Sequence, residues 1–292
     1  MEADNIDGKK EPKRLPVWAC ISLFIVVLFI FIGLYGTLVS GGLSLVLGVE
    51  ARHPGVVGYI FVEASMLLAV LTAAVILLRL ERRPFSDLGL SLKGHASGLW
   101  YGLLMAILLY LLGFGISVVL GEIEVTGFQF KPLDLLGSWV FFLLVALFEE
   151  ILMRGYILGR LLHTNMNKFL ALFISSALFA FMHIFNPEIA FLPMLNLLLA
   201  GMLLGASYLY TRNLCFPISL HLFWNWLQGP ILGFEVSGGR LGGTLLSLEL
   251  PEENIINGGA FGFEGSVLCT ALMIIAIAII LKIQSRKVNQ RL

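Results

Sequence analysis

Residues 148–155 read Phe-Glu-Glu-Ile-Leu-Met-Arg-Gly and continue directly from the apolar run 139–148. That run has the composition of a membrane span, a setting in which each charge costs at least a few kcal/mol. Arg154 stands four residues after Glu150, so the two share a helix face and can pair. Glu149 points about 100° away on the same turn. We therefore expect Glu150 and Arg154 to form a structural pair and Glu149 to face a cavity.

The composition places the chain in the membrane class. Of its 292 residues, 58% are hydrophobic and 13% are charged, which is about half the charged fraction of a soluble chain. The formal net charge is zero, which argues against a nucleic-acid partner. The three cysteines stand far apart, in or beside apolar runs. We expect them to behave as small hydrophobic residues rather than as a disulfide or metal set.

Eight apolar runs have the length of about 20 residues that a membrane-spanning helix needs. They predict an all-α polytopic membrane protein with about eight transmembrane helices around a polar intramembrane cavity. The predicted spans are 16–39, 56–78, 97–120, 135–153, 169–185, 189–211, 214–233 and 264–282. Because no repeat or second domain is visible, residues 1–292 are expected to form a single membrane domain.

The charges between these spans are unevenly distributed. With the N-terminus inside, sixteen of the 19 Lys and Arg residues fall in inside segments and three fall outside. Positive charges favour the cytoplasmic side of a membrane. The sequence therefore predicts a multi-pass protein of the cell membrane whose N-terminal tail 1–15 and C-terminal tail 283–292 are both cytoplasmic. On this topology the long segment 234–262 is outside.

Two later spans each contribute a histidine. His221 precedes Asn225 by four residues, so these two side chains share a helix face. If the chain turns at 164–167, Glu149 and His183 both lie roughly 25 Å from the turn at 1.5 Å per residue. They can then face each other across one helical hairpin. We expect the four side chains to converge on one cavity.

These groups suit hydrolysis. A carboxylate can take a proton from water, a neutral histidine can orient that water, and histidine and asparagine N–H groups can stabilise an oxyanion. The chain has no His-Glu-x-x-His zinc helix and no Gly-x-Ser-x-Gly elbow. Zinc held by Glu149, His183 and His221 stays open, since two histidines and one glutamate form a known catalytic set.

At these residues the chain resembles a known family. The motifs Glu-Glu-x-x-x-Arg (149–154), Phe-x-x-x-His (179–183) and His-x-x-x-Asn (221–225) occur in this order on separate spans. They are similar to the three motifs of the CAAX prenyl endoprotease family, also called the CPBP family. The resemblance covers roughly residues 80–280, the expected protease core. Two further stretches resemble prokaryotic members: 87–90 and 258–266.

The resemblance implies an eight-helix intramembrane endopeptidase. The matching motif positions of the family imply that Glu149 is the general base together with His183. They also imply that His221 and Asn225 form the oxyanion site. The supporting residues are Glu150 and Arg154. We expect no cofactor, with zinc as the open alternative. The expected partners are the lipid bilayer and a lipidated or membrane-embedded protein or peptide, cut near its C-terminus.

Three other interpretations stay open. A non-catalytic membrane chaperone, immunity or scaffold protein would use the cavity to bind a peptide. A proton-coupled transporter would relay protons through the two glutamates and the histidines, although such transporters often contain internal repeats. The polar groups could also serve only to hold the helices together.

Four residues have secondary expectations. Glu63, inside the second span, either lines the cavity or extends outward to the membrane surface. Asn196 is expected to hydrogen-bond to a neighbouring helix. Trp224 and Trp226 flank Asn225. They either shape a pocket or, in the favoured interpretation, anchor the chain at the membrane interface.

Overall fold

The computed structural model describes residues 15–47 and 55–289. Most of the predicted N-terminal tail and the last three residues of the C-terminal tail lie outside these ranges. The eight longer helices of the described residues are α1 (Val17–Leu47), α2 (Gly55–Leu80), α3 (Ser97–Val119), α4 (Pro132–Leu161), α5 (Lys168–Met182), α6 (Phe191–Thr211), α7 (Cys215–Trp226) and α8 (Val267–Asn289).

The predicted fold class, a helical polytopic membrane protein, is confirmed. Six helices are long and apolar enough to cross a membrane: α1, α2, α3, α4, α6 and α8. The helices α5 and α7 occupy the other two predicted spans but contain only 15 and 12 residues. Six described helices, rather than the predicted eight, therefore have the length of a span on their own.

The helix α5 is shorter than predicted because its end is broken at a polar segment. It ends at Met182, and His183 follows with φ −96° and ψ 7°, outside the helical range. Pro187 then disfavours helical geometry at the residue before it. The chain runs without regular structure to Ala190. Irregular backbone at membrane depth is tolerated where it lines a cavity.

Both α4 and α7 pass into π-helix directly after their polar motifs. In α4 the π geometry covers Ile151–Leu158, immediately after the glutamate pair. After α7 it covers Leu227–Ile231 and includes Pro230, which lacks the N–H that a regular helix needs. Sequence periodicity does not reveal such segments, which are rare and concentrate at functional sites.

The helix α6 lies at the centre of the bundle. In its most apolar stretch 61% of the residues are buried, compared with 22–39% in the other five long helices. It contacts α5, α7 and α8, while α4 contacts α2 and α7. The helix α7 also packs along α3, and α1 packs mainly against α2. The polar motifs of α4, α5 and α7 therefore meet beside α6.

Two glycines allow the backbones of neighbouring helices to approach closely. A Cβ atom added to Gly102 of α3 would lie 2.6 Å from the backbone nitrogen of Leu220 in α7. At Gly201 of α6 it would lie 2.8 Å from the Cα atom of Ser176 in α5. Small residues permit such approach between membrane helices. The glycines therefore fix the two helices that carry the histidines.

A small sheet lies outside the helices and was not predicted. Strands β1 (Glu124–Phe128) and β2 (Leu246–Glu249) pair antiparallel, with Glu124 opposite Glu249. The second strand lies within 234–262, for which the sequence indicated only a long loop. Both strands are short and far apart in the chain, so neither carries a local signal of its partner.

Candidate active site

A cavity of about 380 Å³ lies between α2, α4, α5, α6, α7 and α8. It is lined by all four side chains that spacing predicted would converge: Glu149, His183, His221 and Asn225. Aromatic and aliphatic side chains form most of the remaining wall. The structure therefore gathers the polar residues of three separate motifs in one largely apolar space.

The predicted pair of Glu150 and Arg154 lies behind the cavity wall. Arg154 Nη1 donates to Glu150 Oε1 over 2.7 Å, and the two side chains are 1% and 0% exposed. Arg154 Nη2 donates to the carbonyl of Gly201 over 3.1 Å. Its guanidinium also lies 4.6 Å from the centre of the Phe179 ring. One arginine thus joins α4 to both α5 and α6.

His221 connects this buried pair to the cavity. Its Nδ1 donates to Glu150 Oε1 over 2.9 Å, and its Nε2 lies 3.7 Å from Glu149 Oε2. Because Nδ1–H is held by Glu150, the ring orientation is fixed. Nε2 is then the nitrogen that faces Glu149 and the cavity.

Glu149 presents a carboxylate to the cavity. Its Oε2 atom is buried and has no hydrogen-bond partner among the described residues. Burying a polar atom without a partner costs free energy. Such an atom is expected where water or a ligand completes the hydrogen bonding. Glu150 Oε2 is likewise buried without a partner among the described residues, but Glu149 lines the cavity and Glu150 does not. The division between a structural acid, Glu150, and an available one, Glu149, stays a prediction.

His183 reaches the cavity from the end of α5. Its Nδ1 donates to the carbonyl of Phe179 over 2.8 Å, which leaves Nε2 free to accept a hydrogen bond. In the part of the chain that the structure describes, His183 makes no hydrogen bond or ion pair with Glu149. The histidine beside Glu149 is His221, so a partnership of Glu149 with His183 requires a water or a substrate between them.

Asn225 supplies an amide group to the same cavity. The side chain is 7% exposed and stands one turn after His221 on α7. It makes no side-chain hydrogen bond to another described residue. Its N–H groups are therefore available to a ligand in the cavity.

The sequence analysis did not assign a role to Glu264, which also lines the cavity. Its Oε1 accepts from Trp224 Nε1 over 2.8 Å, and its Oε2 accepts from Ser237 Oγ over 2.7 Å. This carboxylate is fully bonded and joins the segment before α8 to α7. The available signals were its place at the start of an apolar run and within the stretch 258–266 that resembles prokaryotic family members. The prediction that Trp224 is an interfacial anchor was wrong, since the side chain is 6% exposed and lines the cavity.

The predicted hydrogen bonding of Asn196 to a neighbouring element is confirmed. Its Nδ2 donates to the carbonyls of Glu264 and Ser266 over 2.7 and 2.9 Å. Its Oδ1 accepts from Thr270 Oγ1 over 2.6 Å. Asn196 therefore fixes the start of α8 against α6, and with it the position of Glu264.

The zinc alternative involves three residues that share this cavity: Glu149, His183 and His221. Among the residues that the structure describes, no three His, Cys, Asp or Glu side chains are grouped closely enough to hold a metal ion. The chemistry of the set still suits zinc. The expectation of no cofactor, with zinc as the open alternative, therefore remains a prediction for experiment.

Fold and cavity together define a polytopic helical membrane protein with an acid–histidine–asparagine site inside its helix bundle. Residues 131–227 match the family model described as type II CAAX prenyl endopeptidase, Rce1-like. The chain therefore carries an Rce1-like domain, and the resemblance to the CAAX prenyl endoprotease family is confirmed. The matched segment holds α4 to α7 and all four residues predicted to be catalytic. No curated protein and no solved structure matches the chain significantly.

Proposed function

We propose that the protein is an intramembrane endopeptidase. It hydrolyses a peptide bond near the C-terminus of a lipidated or membrane-embedded protein or peptide. The observation that carries this proposal is the unpartnered Glu149 Oε2 beside His221, in a cavity that His183 and Asn225 also line. The match to a protease family supports the same type of activity.

In the proposed reaction Glu149 takes a proton from a water molecule that Nε2 of His183 helps to orient. The water oxygen attacks the carbonyl carbon of the scissile bond. The amide of Asn225 donates to the developing oxyanion, and so does Nε2 of His221 when the ring carries both protons. The C–N bond then breaks, and the proton held by Glu149 passes to the leaving nitrogen.

Glu150 and Arg154 act as positioning residues in this scheme. Glu150 holds Nδ1 of His221 and is itself held by Arg154. A catalytic histidine whose second nitrogen is fixed by a carboxylate keeps its orientation through the reaction. Neither side chain lines the cavity, so neither is expected to touch the substrate.

The surroundings of the cavity favour an apolar substrate segment. Its walls are mostly hydrophobic, including Phe141, Phe142 and Phe179, and they lie inside a helix bundle of membrane-span length. A segment that reaches this space must tolerate loss of water. The family description, which names a prenyl endopeptidase, supports a peptide that carries a lipid.

The test is cleavage of a prenylated, quenched-fluorescent C-terminal peptide by the purified protein in detergent, with products identified by mass spectrometry. We expect two products whose masses add up to the substrate plus one water. His221→Ala and Asn225→Ala should each lower kcat/KM by about 10²–10³-fold. The matched control is His95→Ala, which lies outside the cavity and should cleave normally. Peptide binding without any product would contradict the proposal and favour the scaffold interpretation.

The same assay with a strong zinc chelator distinguishes metal-independent hydrolysis from zinc-dependent hydrolysis. We expect unchanged cleavage, because Glu149 and the two histidines suffice for the proposed steps. Loss of cleavage on chelation, with recovery on added zinc, would instead assign the three side chains to a metal site.

A further inference from the structure

Glu63 is an acid in the cavity that the proposed reaction does not use. It stands on α2, is partly buried, and lines the same space as Glu149. It makes no hydrogen bond or ion pair with any residue of 15–47 or 55–289. An ionisable group inside a membrane helix is costly and normally serves a function. Because α2 lies outside the matched segment 131–227, Glu63 is an addition to the residues of that domain.

Apart from the two histidines, the ionisable groups that line the cavity are all acidic. Three carboxylates line it, and no lysine or arginine of the described chain does. Glu264 is satisfied by its own hydrogen bonds, and Glu149 is assigned to the reaction. The guanidinium of Arg154 lies behind the cavity wall and donates hydrogen bonds to Glu150 and to the carbonyl of Gly201. Glu63 is therefore a carboxylate with neither a partner nor a role in the bond cleavage.

A second observation indicates that a ligand occupies the cavity that Glu63 lines. The amide of Asn225 is more than nine-tenths buried, lines the same cavity and bonds to no other described side chain or backbone group. A peptide held there occupies a space of only about 380 Å³. Because Glu63 lines this same space, a side chain next to the scissile bond can reach its carboxylate.

We propose that Glu63 forms a subsite for a positive charge on the substrate, a lysine or arginine side chain within a few residues of the scissile bond. This proposal rests on the proposed function, which places the scissile bond in the cavity. In an apolar cavity a carboxylate and an ammonium group attract each other more strongly than in water. The same carboxylate disfavours an acidic side chain at that position, so Glu63 determines specificity rather than rate.

The test measures peptide binding by fluorescence anisotropy in detergent at low salt. Three prenylated peptides carry one lysine at successive positions around the expected cleavage site, and each has a glutamine and a glutamate counterpart. The proteins compared are the parent, Glu63→Gln, Glu63→Lys and the control Glu124→Gln, whose carboxylate is exposed on β1. Glutamine keeps the shape of Glu63, so loss of folding is not the expected cause of any change.

We expect the parent to bind at least one lysine peptide about tenfold more tightly than its glutamine counterpart, a ratio that high salt reduces. Glu63→Gln should bring this ratio close to one, Glu63→Lys should favour the glutamate peptide, and Glu124→Gln should leave the ratio unchanged. A ratio near one for all three positions in the parent, or an unchanged ratio in Glu63→Gln, overturns the proposal. Charge preference without cleavage would refute the hydrolysis alone, whereas cleavage without charge preference would refute only the subsite.

Discussion

The ion pair of Glu150 and Arg154 is the residue-scale feature on which the cavity depends. Its two side chains are almost wholly buried, and Glu150 also holds His221. A charge left alone in such a place is destabilising because nothing replaces its lost hydration. The pair therefore links the stability of the bundle to the orientation of a residue in the site.

We predict that Arg154→Met lowers the free energy of unfolding by about 3–5 kcal/mol. The matched control is Arg83→Met, which breaks the pair of Arg83 with Asp87, two side chains that are 23% and 24% exposed. That pair should contribute no more than about 1 kcal/mol. Thermal unfolding in detergent measures both changes. Equal losses of stability in the two variants would show that the buried pair stabilises the protein no more than the exposed pair does.

Much of the site was predictable at this scale because its signals are local. Charged residues stand out in an apolar run, and spacings of four residues place Glu150 with Arg154 and His221 with Asn225 on shared helix faces. The contact between His221 and Glu150 was not predictable, because it depends on how α7 docks on α4. The hydrogen-bond partners of Glu264 also depend on docking between distant segments.

At the scale of single helices, close contacts between backbones decide the packing. An added Cβ atom at Gly102 would meet Leu220 N at 2.6 Å and Phe216 O at 2.7 Å, whereas at Gly115 of the same helix it would meet nothing within 4 Å. Alanine normally stabilises a helix relative to glycine. The two positions therefore respond to the same substitution in opposite directions.

We predict that Gly102→Ala lowers the melting temperature in detergent, because backbone atoms of α7 cannot move aside without separating α3 from α7. Gly115→Ala should leave the melting temperature unchanged or raise it slightly. Since α7 carries His221 and Asn225, Gly102→Ala should also weaken peptide cleavage. A stable and fully active Gly102→Ala protein would refute the close contact.

Helix positions were predictable from apolar run length, and helix endings were not. All eight predicted spans coincide with a helix, because run length reports burial in lipid directly. The helix α5 ends early, at Met182, because the segment around Pro187 is polar and irregular. The predicted span 169–185 was based on the length of the apolar run and did not take this segment into account. The π-helical segment Ile151–Leu158 directly after the glutamate pair has no signal in the hydrophobic periodicity. The two strands are paired across the chain, so no local window reveals them.

For the whole molecule, the predicted orientation in the membrane rests on the positive charges of the loops. We predict that Glu252→Cys reacts with a membrane-impermeant thiol reagent in intact cells. Lys93→Cys should react only after the membrane is opened. The three native cysteines are buried, at 2%, 5% and 0% exposure, and should give little background. The opposite labelling pattern would reverse the predicted topology.

The specificity of the molecule was the least predictable property. The motif residues proposed to carry the chemistry are visible in the sequence, but the shape and charge of the cavity also depend on helices that the motifs do not include. Glu63 illustrates this, since its sequence position allowed either a cavity-lining or an outward orientation. Only the packing of α2 against α4 turns that side chain into a cavity residue.

The most direct test of the proposed function compares turnover of the prenylated peptide by the parent and by Glu149→Gln, reconstituted in lipid vesicles. Glutamine keeps the shape of the side chain and removes the base. We predict a fall in kcat of about 10²–10⁴-fold, with an unchanged melting temperature and normal turnover in the control Glu252→Gln. Equal turnover by the parent and by folded Glu149→Gln would contradict the assignment of Glu149 as the base.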